Sequence, residues 1–202
     1  AGNIGSGKTT LTQLLARHYG WRARMESVTH NPYLEDYYKD MRRWALNLEV
    51  FFLKERFRDL LAINRSKRAI VQDRSIYEGV YIFAANNHDL GNMSDRDFET
   101  YMGLFESMMM VAREPDLMVY LRASIPHLVA DIQKRGRAYE QDMQLSYLKQ
   151  LNDRYDHFMP EQYHGRAITI DVDDLDFVNR REDFEYIIGR IDEQLSPHPT
   201  LL

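Results

Sequence analysis

Apolar residues along the chain fall into two kinds of pattern. Short continuous runs at 68–73 (RAIVQD), 116–121 (DLMVYL) and 167–172 (AITIDV) read as buried strands, and 22–26 is a shorter strand candidate that ends in a carboxylate. Between them apolar residues recur at helical spacing. Residues 10–19 form one helix, with Gly20 as its stop. Helices are predicted at 32–40 and 42–63, the second carrying Trp44, Leu48, Phe51, Phe52 and Leu60 on a helical repeat. Further helices are predicted at 76–85, 95–113, around 128–134, 143–158 and 182–195, with NNHDLGN (86–92) as a loop. Strands alternating with helices predict an α/β fold, a parallel sheet covered on both faces. No repeat, linker or low-complexity stretch divides it, so residues 1–202 read as one domain.

The chain opens AGNIGSGKTT, in which Gly2, Gly7, Lys8 and Thr9 fit G-x-x-x-x-G-K-[ST], the loop that cradles phosphates between a strand and a helix. Its expected contacts to ATP run through Gly2, Asn3, Ile4, Gly5, Ser6, Gly7, Lys8, Thr9 and Thr10. Lys8 should reach the β- and γ-phosphates, and the Thr9 hydroxyl should face Mg²⁺. Such a loop is normally fixed by a preceding buried strand, yet only Ala1 stands before it. The expectation is therefore a short apolar strand ahead of Ala1, and a P-loop NTPase-like three-layer fold with five parallel strands. The loop says nucleotide, not which reaction. The absence of N-K-x-D argues against a G-protein.

Composition narrows this only at the margins. The balance of 26 Lys+Arg against 31 Asp+Glu, a net −5, argues against gross nucleic-acid affinity. There are no cysteines, which excludes disulfides and thiolate metal sites. No apolar run is long enough to span a membrane and no secretory signal is visible, so a cytoplasmic protein is expected. The seven histidines show no metal-binding spacing, and His30 and His157 read as ordinary polar residues.

Three stretches, MESVTHNPYLEDYYKDMRRWALNLEVFFLKERF, QDRSIYEG and KRGRAYEQDMQLSYLKQLNDRYDHF, resemble the deoxynucleoside kinases over nearly the whole chain and in the same order. The likeness is greatest to the bacterial deoxyadenosine/deoxyguanosine kinase branch. The resemblance implies transfer of the γ-phosphoryl of ATP to the 5′-hydroxyl of a deoxynucleoside. It places the general base at Glu26, where the family usually shows Glu-Pro and this chain has Glu26-Ser27. It implies that Asp73 lies near Mg²⁺ and that Arg74 steadies phosphate and substrate. KRGRAYE becomes the start of a lid over about 134–142, with Arg135 and Arg137 closing on the phosphates and Glu140 paired with Tyr38 on the sugar 3′-hydroxyl. Asp131 stands where many relatives carry an arginine, which loosens one contact to ATP and with it strict ATP preference.

By the same resemblance Trp44, Glu49, Arg56 and Gly79 line the base pocket. Glu49 stands where the family often has glutamine, and a carboxylate only accepts hydrogen bonds, which suits the N1–H and N2–H₂ of guanine. Gly79 replaces an aspartate, removing an expected partner of Arg56 that Glu49 could supply instead; Glu49 could equally do no more than pair with Arg56 along a helix. A purine is expected, guanine ahead of adenine. Asp174 and Phe177, in DVDDLDF, fall where the family packs on the adenine of ATP. The helices at 42–63 and 95–113, the latter with SMMMV at 107–111, are the candidate faces of a homodimer.

Two other readings remain. A nucleoside monophosphate kinase of the thymidylate type shares the loop, the strand-end Asp-Arg and the arginine lid, but Glu26 would repel a phosphate already on the acceptor. A nucleotide-switched binding module would hydrolyse slowly with no acceptor, and Glu26, Arg135 and Arg137 argue against it.

Overall fold

The computed structural model describes residues 1–26, 31–136 and 144–196. Among the described residues four short strands alternate with helices: β1 Arg22–Arg24, β2 Ile70–Gln72, β3 Met118–Arg122 and β4 Ala167–Asp171. The α-helices are α1 Lys8–Tyr19, α2 Leu34–Lys39, α3 Met41–Asn64, α4 Ala85–Asp89, α5 Asp95–Met109, α6 Ile125–Arg135, α7 Leu145–Glu161 and α8 Arg181–Leu195, with a π-helical segment at Glu78–Ala84. No described helix is long and apolar enough to cross a membrane.

The sheet departs from the five parallel strands expected. β1 pairs in parallel with β2, Arg22 opposite Ile70, and β3 with β4, Met118 opposite Ala167. Among the described residues these are two separate two-stranded ladders. Ala1 and Gly2 do run parallel to β3, with Leu121 N–H donating to Ala1 O at 3.0 Å and Gly2 bridging Leu121. Two residues of extended backbone supply one bridge, too few for a ladder.

Two clusters form most of the core. One gathers Leu53, Val80, Ile82, Tyr101, Phe105, Tyr155 and Phe158 from α3, the π segment, α5 and α7. The other joins Leu11 and Leu15 of α1 to Leu121, Leu128, Ile168, Ile170, Ile187 and Ile191. α1 lies along β1 and β2 and meets α8 through the His18–Phe184 ring contact and the Tyr19–Asp192 hydrogen bond.

Several boundaries differ: α5 ends at Met109 and α7 runs on to Glu161, and three further differences have local reasons. β1 stops at Arg24, so Glu26 lies two residues beyond the ladder rather than at its end. The loop expected at 86–92 is helical as far as Asp89, because the π segment runs straight into α4; the turn comes only at Gly91, whose φ of 71° breaks the helix. α6 begins earlier than expected, at Ile125, where the Ser124 hydroxyl accepts the His127 N–H and Pro126 sits in the first turn.

Candidate active site

The phosphate loop is shaped by close approach. Gly7 caps α1 at φ 83°, and a Cβ there would stand 2.8 Å from the Phe177 ring, so both backbone sign and space demand glycine. Asn3 is buried and ties the loop to α7: its Nδ2 donates to Leu148 O and to Asn152 Oδ1, both at 2.9 Å. Its Oδ1 accepts from Ile4 N–H at 2.8 Å. Lys8 Nζ donates to Asn3 O at 2.7 Å, which folds the ammonium over the loop. Burial, with Arg74 nearby, lowers the Lys8 pKa to about 8. Ser6 Oγ is buried without a partner. Thr10 is exposed on the outer side of α1.

The next layer comes from the residues after β1 and β2. Thr9 Oγ1 donates to Asp73 Oδ2 at 2.6 Å, bringing a hydroxyl and a carboxylate together at the loop. Arg74 is the one non-glycine at positive φ (68°) among the described residues. That conformation costs about 1–3 kcal/mol and persists because the side chain is held on every side. Its Nε donates to Glu26 Oε2 at 2.9 Å, its Nη1 to Tyr155 Oη at 3.2 Å, and its guanidinium lies 4.5 Å over the Phe83 ring. Arg56 Nη2 donates to the other Glu26 oxygen at 2.6 Å. Burial opposes ionisation of Glu26, but the charges and hydrogen bonds of Arg74 and Arg56 outweigh it and hold the carboxyl below its usual range.

Behind Arg74 lies a residue that the sequence did not mark as functional. Glu78 is completely buried. Its Oε1 accepts from Tyr155 O–H at 2.7 Å and from Gly2 N–H at 3.2 Å, and its Oε2 accepts from Ser75 N–H at 2.7 Å. One carboxylate therefore joins the start of the phosphate loop, the Arg74 turn and α7. In sequence it is a charge four residues after Arg74, indistinguishable from a solvated helix residue; Tyr155 reads only as an apolar position on the α7 repeat. Glu78→Gln is expected to destabilise the fold by about 1–3 kcal/mol, since its amide presents N–H to a donor at one end. Urea unfolding at neutral pH measures this, and unchanged stability contradicts the network.

The remaining expected residues are more dispersed. Glu49 is buried in α3 and accepts from Asn87 Nδ2 at 2.9 Å. It does not pair with Arg56, whose guanidinium is drawn to Glu26 instead. Both possible roles for a Glu49–Arg56 pair are corrected. Gly79 makes room for this: a Cβ there would lie 2.4 Å from Arg56 Nη1. Burial raises the Glu49 pKa to about 7, against the opposing pull of Arg56 and the Asn87 bond. Trp44 is half-buried, its ring 5.8 Å from that of Tyr33, and Tyr38 on α2 is exposed. Phe177 packs on Gly7, while Asp174 is exposed and its carbonyl accepts from the Arg180 guanidinium. Asp131 stands 3.7 Å from His127 Nε2 on α6. Arg135 lies in the last turn of α6, which Gly136 ends at φ 65°. Arg137 and Glu140, and with them most of the expected lid, lie outside the described residues.

The arrangement can hold a polyphosphate on the loop N–H groups and Lys8, and can present a carboxylate braced by two guanidinium groups to a neutral hydroxyl. Comparison with known proteins gives the same direction. The family described as Deoxynucleoside kinase matches residues 1–196. Deoxyadenosine/deoxycytidine kinase of Bacillus subtilis (strain 168) is 37% identical over 193 residues, covering 95% of this chain and 89% of that protein. Deoxyguanosine kinase of the same organism is 32% identical over 200 residues, covering 95% and 94%. A solved structure of deoxyadenosine kinase from M. mycoides with bound dATP superposes with a TM-score of 0.81 at 28% identity, covering 95% of this chain and 96% of that one.

Proposed function

The chain belongs to the deoxynucleoside kinase family, and on that premise we propose that it moves the γ-phosphoryl group of ATP to the 5′-hydroxyl of a purine deoxynucleoside, deoxyguanosine ahead of deoxyadenosine. The observation that carries the reading is the Glu26 carboxylate, gripped by Arg74 and Arg56, in the same layer as the Thr9–Asp73 contact at the phosphate loop. A carboxylate there suits a neutral alcohol acceptor. A phosphate already on the acceptor would meet a negative charge, which disfavours a monophosphate kinase.

ATP binds with its phosphates on the loop N–H groups of residues 2–9, and Lys8 turns from Asn3 O to the β- and γ-oxygens. The phosphate charge then restores the basicity that burial removes from Lys8. Thr9 and Asp73 supply hard oxygen donors of the kind Mg²⁺ prefers, a set that leaves room for water and phosphate oxygens; the ion would neutralise charge on the transferring group. The acceptor lies along the α3 face, its base against Trp44, Glu49, Arg56 and Gly79 and its sugar at Tyr38 and Glu140. Glu26 accepts the 5′-hydroxyl proton as transfer proceeds in line. A carboxylate held by two guanidinium groups is a weak base, so its main contribution is to aim the hydroxyl and receive the proton late. Arg74, Arg135 and Arg137 stabilise charge on the phosphoryl group as the lid excludes water. Asp174 and Phe177 form the side of the site that takes the adenine of ATP. The Asp131–His127 contact leaves that side without the arginine common in related kinases, and donors other than ATP are expected to be accepted.

We place the enzyme in the cytoplasm, as a homodimer through α3 and α5. The exposed Leu104 within α5, and Met110 and Val111 just beyond its end, support that face.

A panel of acceptors with γ-labelled ATP and Mg²⁺ tests the reading. Each of the four deoxynucleosides and each of their monophosphates is offered separately. Label is expected mainly in dGMP and dAMP; label only in diphosphates would make the enzyme a monophosphate kinase.

A further inference from the structure

We infer that Glu49 selects the acceptor base through its own proton: ionised, it takes guanine, and protonated, it takes adenine and cytosine as well. The inference rests on the kinase reading above and on three features around Glu49.

First, Glu49 is only 3% exposed, yet one of its oxygens has no partner. Asn87 Nδ2 donates to Oε1, and Asn87 is fixed in that sense because its own Oδ1 accepts from Tyr37 O–H at 2.7 Å and from Asn92 Nδ2 at 3.2 Å. Oε1 thus always faces an N–H donor. A proton on this carboxyl belongs on Oε2, the unpartnered atom. Second, Arg56 is drawn to Glu26 through Nη2 alone, which leaves its Nε and Nη1 buried and unpaired. A buried acceptor beside buried donors is costly unless a ligand edge carrying both kinds of group completes them. Third, no Glu49–Arg56 ion pair forms to satisfy them internally.

Hydrogen-bond inventory does the rest. An ionised carboxylate has only acceptors, and guanine offers it N1–H and N2–H₂ side by side. Adenine offers N6–H₂ beside N1, a lone pair that would face the second carboxylate oxygen, and cytosine has the same problem at N3. With a proton on Oε2 the group becomes a donor–acceptor pair, matching N1 and N6–H₂ of adenine or N3 and N4–H₂ of cytosine. Guanine is still served, through O6 and N1–H. The N7 acceptor that Arg56 could meet is common to both purines, so discrimination falls on Glu49.

Among the described residues the charged and titratable groups around Glu49 come from every element packed on it. They are Tyr37 from α2, Arg56 from its own helix, Tyr101 from α5, Tyr147 from α7, and Arg74 and Glu26 from the segments after β2 and β1. Burial raises the three tyrosines, Tyr37 to about 12 and the other two further, so none changes charge near neutrality. Glu49 itself is raised to about 7, chiefly by burial. Its proton is therefore present below neutral pH and lost above it.

Deoxyguanosine and deoxyadenosine, competed in one reaction with ATP and Mg²⁺ between pH 6 and 8, give the ratio of their kcat/KM values free of any pH effect common to both. The wild-type ratio is expected to shift toward deoxyguanosine by about tenfold over that range, following the fall in the protonated fraction across a group titrating near 7. Glu49→Gln keeps a donor–acceptor pair at all pH values, so its ratio should be flat and displaced toward deoxyadenosine. A flat wild-type ratio overturns the inference, as does a ratio that varies equally in Glu49→Gln. Phosphorylation of neither nucleoside at any pH overturns the kinase reading itself.

Discussion

Glu26→Gln is expected to lose about 10²–10⁴-fold in kcat, the usual worth of a positioned proton acceptor, while KM for the deoxynucleoside changes little. The variant is close to isosteric and its amide oxygen still accepts one guanidinium N–H, but its NH₂ faces the other guanidinium, so a stability loss of about 1–3 kcal/mol, measured by urea unfolding, is expected beside the kinetic loss. What disappears is the negative oxygen that aims the 5′-hydroxyl and takes its proton. Steady-state kinetics with saturating ATP separate the two effects. A drop in kcat at near-constant KM supports the role; full turnover refutes it, and a rise in KM alone would make Glu26 a sugar-binding residue.

The second large effect concerns stability as well as rate. Arg74→Met removes the cation that stands 2.9 Å from Glu26 and 3.8 Å from Glu78, and leaves Tyr155 with one fewer donor. Deleting one member of a buried charge network costs about 3–5 kcal/mol, because the remaining carboxylates stay desolvated. The same change should alter pH dependence. In the wild type both carboxyls sit below their ordinary value near 4.5: burial opposes their charge, but surrounding cations, Arg74 shared by both, outweigh it. A carboxyl depressed in the folded state contributes stability that is complete above its unfolded pKa and is lost as pH falls through the folded one. Wild-type stability should therefore fall as the medium is acidified below about 4.5. In Arg74→Met that acid-side slope should shrink, and the deficit should be greatest at neutral pH. Urea unfolding at several pH values measures both curves; parallel curves would contradict the network.

The glycine-rich loop was legible because its signal is local: a few residues fix backbone sign and the helix that follows. The alternation of strands and helices was legible for the same reason, and α3 matched its expected span to within a residue at each end. The joining of the strands was not, since which ladders connect depends on long-range pairing that no local period records. The π segment was hidden because 76–85 reads equally well as α-helix, while the extra residue per turn is decided by packing of Val80, Ile82 and Ala84. In the site, Asp73 and Arg74 were visible as charges closing an apolar run, and Glu26 as the carboxylate that ends a short strand candidate. Glu78 was not, because a buried carboxylate and a solvated one look alike until Gly2, Ser75 and Tyr155 close around it. Arg56 was expected beside Glu49 and pairs with Glu26 instead. Gly79 leaves it free to swing to Glu26, and that choice is made in three dimensions.

The proposed reaction is phosphoryl transfer to a nucleoside hydroxyl rather than to water. Its most direct test is rapid-quench measurement of ADP and nucleotide product from labelled ATP and Mg²⁺, with and without deoxyguanosine. With the acceptor, one 5′-dGMP should form for each ADP, and without it ADP should appear far more slowly. ADP released at the same rate in both mixtures, with no labelled dGMP, would contradict the claim and leave a nucleotide hydrolase in its place.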